Sequence, residues 1–264
     1  TMLLSLPRQM GNPSGSLGYS VAVGATFSVL ATEVNPAHET VKGAIKVFNN
    51  ATGALLHIID NPDSANVQYF GGQMDASGSL LAVSGTSSNR VFVYDMSSAT
   101  PTVPAFVLTP SLGISALAIS GSRIVIGSKD VHHGQAVVYD LNSATPTTPV
   151  LTLNTPQPNT HDYFGTSVDI DGTRFVVGAP RNNPGADDRG TVRVYDLASA
   201  TPSTPLFTIS DPTPESGFSV SGPDGDDDKF GRVVAIANNR VYGGGGAEHS
   251  VYDISGAGAV FMGR

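Results

Sequence analysis

The chain has 264 residues, of which 40% are hydrophobic, enough for a sizeable core, and only 14% are charged. A net charge of -8 with no cluster of lysine or arginine repels a phosphate backbone, so nucleic acid is excluded as the expected partner. The absence of cysteine rules out a disulfide framework and thiolate metal centres, and no apolar run approaches the length of a membrane-spanning helix.

In chain order, TMLLSLPRQ comes first. It is too short for a signal peptide and has no initiator Met at position 1, which reads as a processed or trimmed chain whose targeting segment is out of view. From residue 17 a text recurs: LGYSVAVGATFSVLA (17–31), FGGQMDASGSLLAVS (70–84), GISALAISGSRIVIG (113–127), FGTSVDIDGTRFVVGAP (164–180) and FGRVVAIANNRVYGG (230–244). Repeats at such intervals mark stacked supersecondary units. In each, apolar residues alternate, as Val168 and Ile170 do, which predicts a strand with one buried face. A short turn follows (DGT, SGS or ANN), then a β-branched run such as Phe175-Val176-Val177, which together predict a hairpin. A third strand ends in Tyr-Asp at 94–95, 139–140, 195–196 and 252–253. Proline-studded bridges of the SATPTTP type then lead to a fourth, edge-like strand, where proline is tolerated and discourages edge-to-edge pairing.

Five units of four antiparallel strands predict an all-β fold, a five-bladed β-propeller occupying residues 1–264 as one domain. Both TMLLSLP (1–7) and AVFMG (259–263) have the pattern of the last fourth strand. The reading adopted is that residues 1–16 complete the last blade and close the ring, leaving 255–264 as a tail. Alternatives are that AVFMG completes the blade, or that the spare strand pairs with a neighbouring molecule.

The long connections are expected on one face: 32–43, 128–135, 155–163, 179–190 and 211–229. Variable loops on a rigid scaffold are where binding usually sits. His38, Asp130, His132, His133, His161, Asp162, Asp187, Asp188, Glu248 and His249 fall there and form the candidate ligand-binding face; His57 is placed in a strand. Asp224, Asp226 and Asp228 alternate in PDGDDDKFG as hard-oxygen Ca²⁺ ligands would, although the twelfth-position Glu of an EF-hand is missing. The pair His132-His133 with Asp130 or His161 has transition-metal donor types.

No G-x-S-x-G elbow, H-E-x-x-H pair or P-loop occurs, and Gly243–Gly246 reads as a loose turn. Asp75 and Asp169 lie five residues into their first strands, where an inner, channel-mouth position would suit a glycan hydrolase or lyase. Their equivalents in the other units are alanines (Ala22, Ala118, Ala235), so polar lining is the plainer account. Asn50-Ala51-Thr52 is a glycosylation sequon.

FGTSVDIDGTRFVVGAP resembles the FG-GAP repeat found in the propeller of integrin α-subunits and in many bacterial surface proteins. The match is good at 164–196, fair at 230–253 and degenerate elsewhere: Gly113-Ile114 replaces Phe-Gly, and only residues 178–180 retain Gly-Ala-Pro. The family's propellers usually have seven blades, so five is a departure. Its calcium loops lie between the first two strands, where only Asp169 and Asp171 remain in one unit. The resemblance implies an extracellular or cell-surface, non-enzymatic protein that binds or adheres to protein or carbohydrate. The rival readings are a structural subunit of a surface layer or filament, assembled by terminal strand addition, and the glycan hydrolase or lyase.

Overall fold

The computed structural model describes residues 17–32, 43–86, 89–129, 134–155, 162–181, 190–210, 230–245, 248–256 and 258–263. They form twenty strands in five four-stranded antiparallel sheets, and each sheet takes its strands in chain order. Sheet 1 is β1 (Leu17–Val23), β2 (Phe27–Thr32), β3 (Ala44–Asn49) and β4 (Leu55–Asp60). Sheet 2 is β5 (Gln68–Ser77), β6 (Leu80–Thr86), β7 (Val91–Asp95) and β8 (Phe106–Leu108). Sheet 3 comprises β9 (Ala116–Ser120), β10 (Arg123–Ser128), β11 (Gln135–Asp140) and β12 (Leu151–Asn154). Sheet 4 comprises β13 (Ser167–Asp171), β14 (Arg174–Ala179), β15 (Thr191–Asp196) and β16 (Phe207–Ser210). Sheet 5 is β17 (Val233–Ala237), β18 (Arg240–Gly245), β19 (Glu248–Asp253) and β20 (Val260–Gly263). The chain divides into two compact units: residues 1–114 hold sheets 1 and 2, and residues 115–264 hold sheets 3 to 5. Among the described residues no helix is long and apolar enough to cross a membrane.

Local chemistry sets each hairpin. Asp171 pairs with Arg174 across Gly172-Thr173, and Ala237 pairs with Arg240 across Asn238-Asn239. Gly172 (φ 64°), Asn238 (φ 50°) and Asn239 (φ 62°) are left-handed, the backbone that two-residue hairpin loops demand.

Within each unit, successive sheets stack by one rule, and the Phe-Gly pairs supply it. Phe70, Phe164 and Phe230 are buried, and each lies against a glycine that precedes the third strand of the sheet before it. A Cβ at Gly43 would meet the Phe70 carbonyl oxygen at 2.6 Å; at Gly134 and Gly190 it would collide with the carbonyl oxygens of Phe164 and Phe230. The glycine of the pair then presses its own backbone on the second strand of the earlier sheet. A Cβ at Gly127 would strike the Gly165 carbonyl, and one at Gly178 the Gly231 carbonyl. Gly165 (φ 85°) and Gly231 (φ 89°) are themselves left-handed, so only glycine fits both demands. The first and second glycines of the Phe-Gly…Gly-Ala-Pro text are thus the two sides of a sheet-to-sheet contact.

The cores follow. In residues 1–114, Val29, Ile45 and Val47 of sheet 1 pack with Phe70, Met74 and Leu81 of sheet 2. In residues 115–264, Val125, Ala136 and Val138 meet Phe164, Val168 and Ile170, and Val176, Val192 and Val194 meet Phe230, Val234 and Ile236. Polar staples reinforce the seams. Asp169 Oδ2 accepts the Ile236 amide at 2.7 Å, Asp171 Oδ2 accepts the Asn238 amide at 2.8 Å, and Ser120 Oγ accepts the Gly172 amide at 3.0 Å.

Two expectations change. The fourth strand of the last sheet is β20, so residues 260–263 are not a tail; residues 1–16, given that place on the sequence, lie outside the described residues. Gly243, Gly244 and Gly245 belong to strand β18 rather than to a loose turn. The reason is steric: a Cβ at Gly243 would run into the Phe230 ring, so glycine allows the ring to lie against the strand.

Candidate functional site

The Tyr-Asp pairs resolve into structure. Asp95, Asp140, Asp196 and Asp253 end their strands, and each Oδ1 accepts the amide two residues on, from Ser97 (2.9 Å), Asn142 (3.0 Å), Ala198 (2.9 Å) and Ser255 (2.8 Å). These are Asx turns that open the bridges. The bonds lower the carboxyl pKa values. For Asp95 the Ser97 hydroxyl and amide are the main cause, and for Asp253 those of Ser255. At Asp140 and Asp196 burial opposes the shift. Hydrogen bonds from Ser122 and Asn142, and from Ala198, Thr173 and Arg174, overcome it, with the charges of Arg123 and Arg174 assisting.

The partner tyrosines are core residues. Tyr195 stacks on Phe175 with ring centres 5.2 Å apart, and burial pushes its hydroxyl up to about 12, partly offset by Arg193.

Of the expected face, Asp162 is described and is not a free ligand. It is 3% exposed, and its carboxylate accepts hydrogen bonds from the Thr155 hydroxyl and the Phe164 amide. Its position two residues before Phe164 makes it an Asx-type cap that seats the Phe-Gly pair. His249 is described and lies in strand β19, exposed. Glu248 opens that strand. His38, Asp130, His132, His133, His161, Asp187 and Asp188, and the acidic run Asp224, Asp226 and Asp228, lie outside the described residues. Among the described residues no group of three or more His, Asp or Glu stands close enough to hold a metal ion.

The carboxylates considered for catalysis are engaged with backbone. Asp169 accepts from its neighbour Ile170 at 2.9 Å as well as from Ile236, and Asp75 accepts from Ala76 at 2.8 Å. The sequon residue Asn50 is exposed, but its side chain donates to the Gly24 carbonyl at 3.1 Å and accepts from the Ser28 hydroxyl at 2.6 Å.

What the described residues do offer lies on sheet 5. A cavity of about 420 Å³ is lined by Arg232, Val233, Ala235, Tyr242, Gly243–Gly245 and His249 among others. Sequence reasoning missed it because it read the glycine run as a turn. Arg193 also went unnoticed. It is 5% exposed, sits 5.7 Å from the Phe164 ring centre, and its Nη1 has no hydrogen-bond partner. The signal was available: β15 reads TVRVYD, and register places a valine (Val137) at the same position in sheet 3.

Residues 153–195, from β12 to the end of β15, match the profile of the FG-GAP repeat. That segment is similar to an FG-GAP repeat, and the fold is a β-propeller of five four-stranded sheets. The structural neighbours agree on fold. The chain resembles the Dos1 propeller with a TM-score of 0.59 at 15% identity, covering 92% of this chain and 58% of that one. It also resembles a chain of the complex of KlAtg21 with the coiled-coil of AgAtg16, with a TM-score of 0.60 at 14% identity, covering 92% and 68%. It therefore spans less than two thirds of the first neighbour. No curated protein sequence matches it. The expected fold class stands: all-β, with five blades of four antiparallel strands.

Proposed function

We propose that this FG-GAP propeller is a secreted or surface-displayed binding and adhesion protein without enzymatic activity, recognising protein or carbohydrate through its long loops. The observation that carries this reading is the use of the sheet carboxylates. Asp169 and Asp171 staple adjacent sheets, Asp162 seats a Phe-Gly pair, and the four Tyr-Asp aspartates build turns. These carboxylates are used for rigidity, which supports recognition through the variable connections. An extracellular or cell-surface location accords with the FG-GAP match, and a similar fold engaging a coiled-coil gives a precedent for a protein partner. The hydrolase or lyase reading is less well supported, because Asp169 has both carboxylate oxygens occupied by amides. Ca²⁺ at Asp224, Asp226 and Asp228 belongs to the same proposal, as a cation ordering the longest loop.

Binding to a glycan array and to immobilised extracellular-matrix proteins tests the proposal. Saturable binding is expected, lost when residues 182–189 are replaced by Gly-Ser while the melting temperature is kept. Turnover of an arrayed glycan that disappears in Asp75→Asn would replace adhesion with catalysis. Excess Ca²⁺ against EDTA in a thermal melt tests the cation. A site at a hundredfold over its Kd adds about 2.7 kcal/mol, and the shift should vanish in Asp226→Asn with Asp228→Asn.

A further inference from the structure

We propose that the threonine-proline bridges of sheets 2 to 4 are acceptor sites for O-linked sugar, carried on Thr100, Thr145 and Thr201. This rests on the surface-displayed location proposed above and goes beyond ligand recognition, since none of the long loops takes part.

The repeat has drifted unevenly. Across the first hairpins of sheets 2 to 4 (70–84, 113–127 and 164–178), only the turn glycine, at 78, 121 and 172, is the same residue in all three. Across the bridges (97–104, 142–149 and 198–205), Ser-Ala-Thr-Pro and the closing proline are the same in all three. Yet the hairpins supply much of the buried core, while Thr100, Thr145 and Thr201 are exposed. The bridge of sheet 4 is exposed although sheets 3 and 5 both pack on that sheet within residues 115–264. Substitution is cheapest at exposed positions, so packing does not explain why this text is kept.

The turn explains part of it. Ser98 and Ser199 Oγ accept the Thr100 and Thr201 amides at 3.3 and 3.2 Å. Pro101, Pro146 and Pro202 hold the second position of turns closed by Val103, Thr148 and Thr204 N–H on the carbonyls of Thr100, Thr145 and Thr201. The closing prolines guard the edge strands that follow. A hydroxyl on the first and third residues of these turns is not part of that scheme, yet Thr102, Thr147 and Ser203 add exposed hydroxyls at the third. Sheet 1 makes the same strand connection without the text, closing it by Gly53 N–H to the Asn49 carbonyl at 2.8 Å.

Threonine and serine interleaved with proline in an exposed run is the composition of O-glycosylated segments. In the transfer, a threonine Oγ1 attacks the anomeric carbon of a phosphate-activated sugar. The oxygen–carbon bond forms as the bond from that carbon to the phosphate oxygen breaks. The phosphate leaves as an anion, and the hydroxyl proton passes to a base of the transferase. The Pro-x-x-Pro spacing does not fit a proline-binding groove, whose ligands are extended and free of internal hydrogen bonds, because each run here is closed by its turn bond. The sequon of sheet 1 is a poorer acceptor: Asn50 Nδ2 donates to the Gly24 carbonyl at 3.1 Å and Oδ1 accepts from the Ser28 hydroxyl at 2.6 Å.

The test compares the intact mass of the protein purified from its source cells with that of the same sequence made by cell-free synthesis. Fractionation of the same cells locates the chain. An excess of whole hexose or N-acetylhexosamine units is expected, released by alkaline β-elimination and mapped to Thr100, Thr145 and Thr201. A chain with Thr100→Val, Thr145→Val and Thr201→Val, returned to the source cells, should lose the excess. Its cell-free counterpart should melt where the original does, which separates loss of the acceptor from loss of fold. Excess that survives the three substitutions, phosphate in place of sugar, or sugar on Asn50 alone would overturn the proposal. So would a chain found outside the cell at its bare sequence mass, with the surface location left standing. A bare chain confined to the cytosol would overturn both.

Discussion

The seams between sheets and the outer rim of the sheets are written by the same repeat, yet they are built on opposite principles. At the seams, shape decides. Phe164 and Phe230 are buried, and glycines at 127, 134, 178 and 190 let backbone touch backbone. At the rim, hydrogen bonds decide. An aspartate starts an Asx turn, and a Thr-Pro turn follows, closed by Val103 N–H to Thr100 O (3.0 Å), Thr148 to Thr145 (2.9 Å) and Thr204 to Thr201 (2.9 Å). The edge strands that follow are only three or four residues long in sheets 2 to 4. Sheet 1 departs from that rim. Asn49 takes the place of the aspartate, no proline follows, and the six-residue edge β4 exposes Leu55, Leu56 and Ile58. The difference teaches where the repeat tolerates drift: sheet 1 keeps its seam glycine, Gly43, while its rim has changed.

The largest effect that would break this comparison is at a seam aromatic. Phe164→Ala removes a fully buried ring and should cost about 3–5 kcal/mol, read as a denaturant midpoint shift. Ile58→Ala, on the exposed edge, should stay within about 1 kcal/mol. Equal losses at the two sites would mean that rim and seam are not energetically distinct. A smaller and sharper contrast uses two glycines. Gly178→Ala drives a methyl into the Gly231 carbonyl and should cost about 1–3 kcal/mol by overpacking. At Gly113 the added methyl meets nothing within 4 Å, so Gly113→Ala should stay within about 0.5 kcal/mol. A neutral Gly178→Ala would show that the seam relaxes and that its glycine serves another purpose.

The same division explains what was legible in the sequence. Strand alternation, hairpin turns and the proline bridges are local signals, so the five sheets and their strands, the last edge excepted, could be read directly. What failed depended on a neighbour. TMLLSLP and AVFMG have equal local claims to the last edge, and only the pairing of Tyr252 with Phe261 assigns AVFMG to it. Gly243–Gly245 has turn composition but strand geometry, because the Phe230 ring occupies the side where side chains would stand. Asp162 has the look of a surface acid until Thr155 and Phe164 are folded against it.

The smallest predicted effect isolates the rim aspartates by their charge. Asp95, Asp140, Asp196 and Asp253 all have carboxyl pKa values lowered from an ordinary 3.8 in the folded chain. A lowered folded-state value means that the unfolded chain takes up protons first. The stabilisation is therefore complete above the unfolded value and is lost as pH falls from there through the folded value. Sheet 1 shows how to remove the titration without removing the turn, since Asn49 accepts from Ala51 at 2.8 Å and from Thr52 at 3.1 Å in the same role. Replacing the four aspartates by asparagine keeps the turns but removes the ionised carboxylates, so it should lower stability modestly near neutral pH and flatten the loss between neutral pH and a pH of about 3, where the two chains converge. Parallel denaturant titrations at the two pH values read the difference. If the substituted chain loses as much stability in acid as the original, the acid response belongs to other carboxylates.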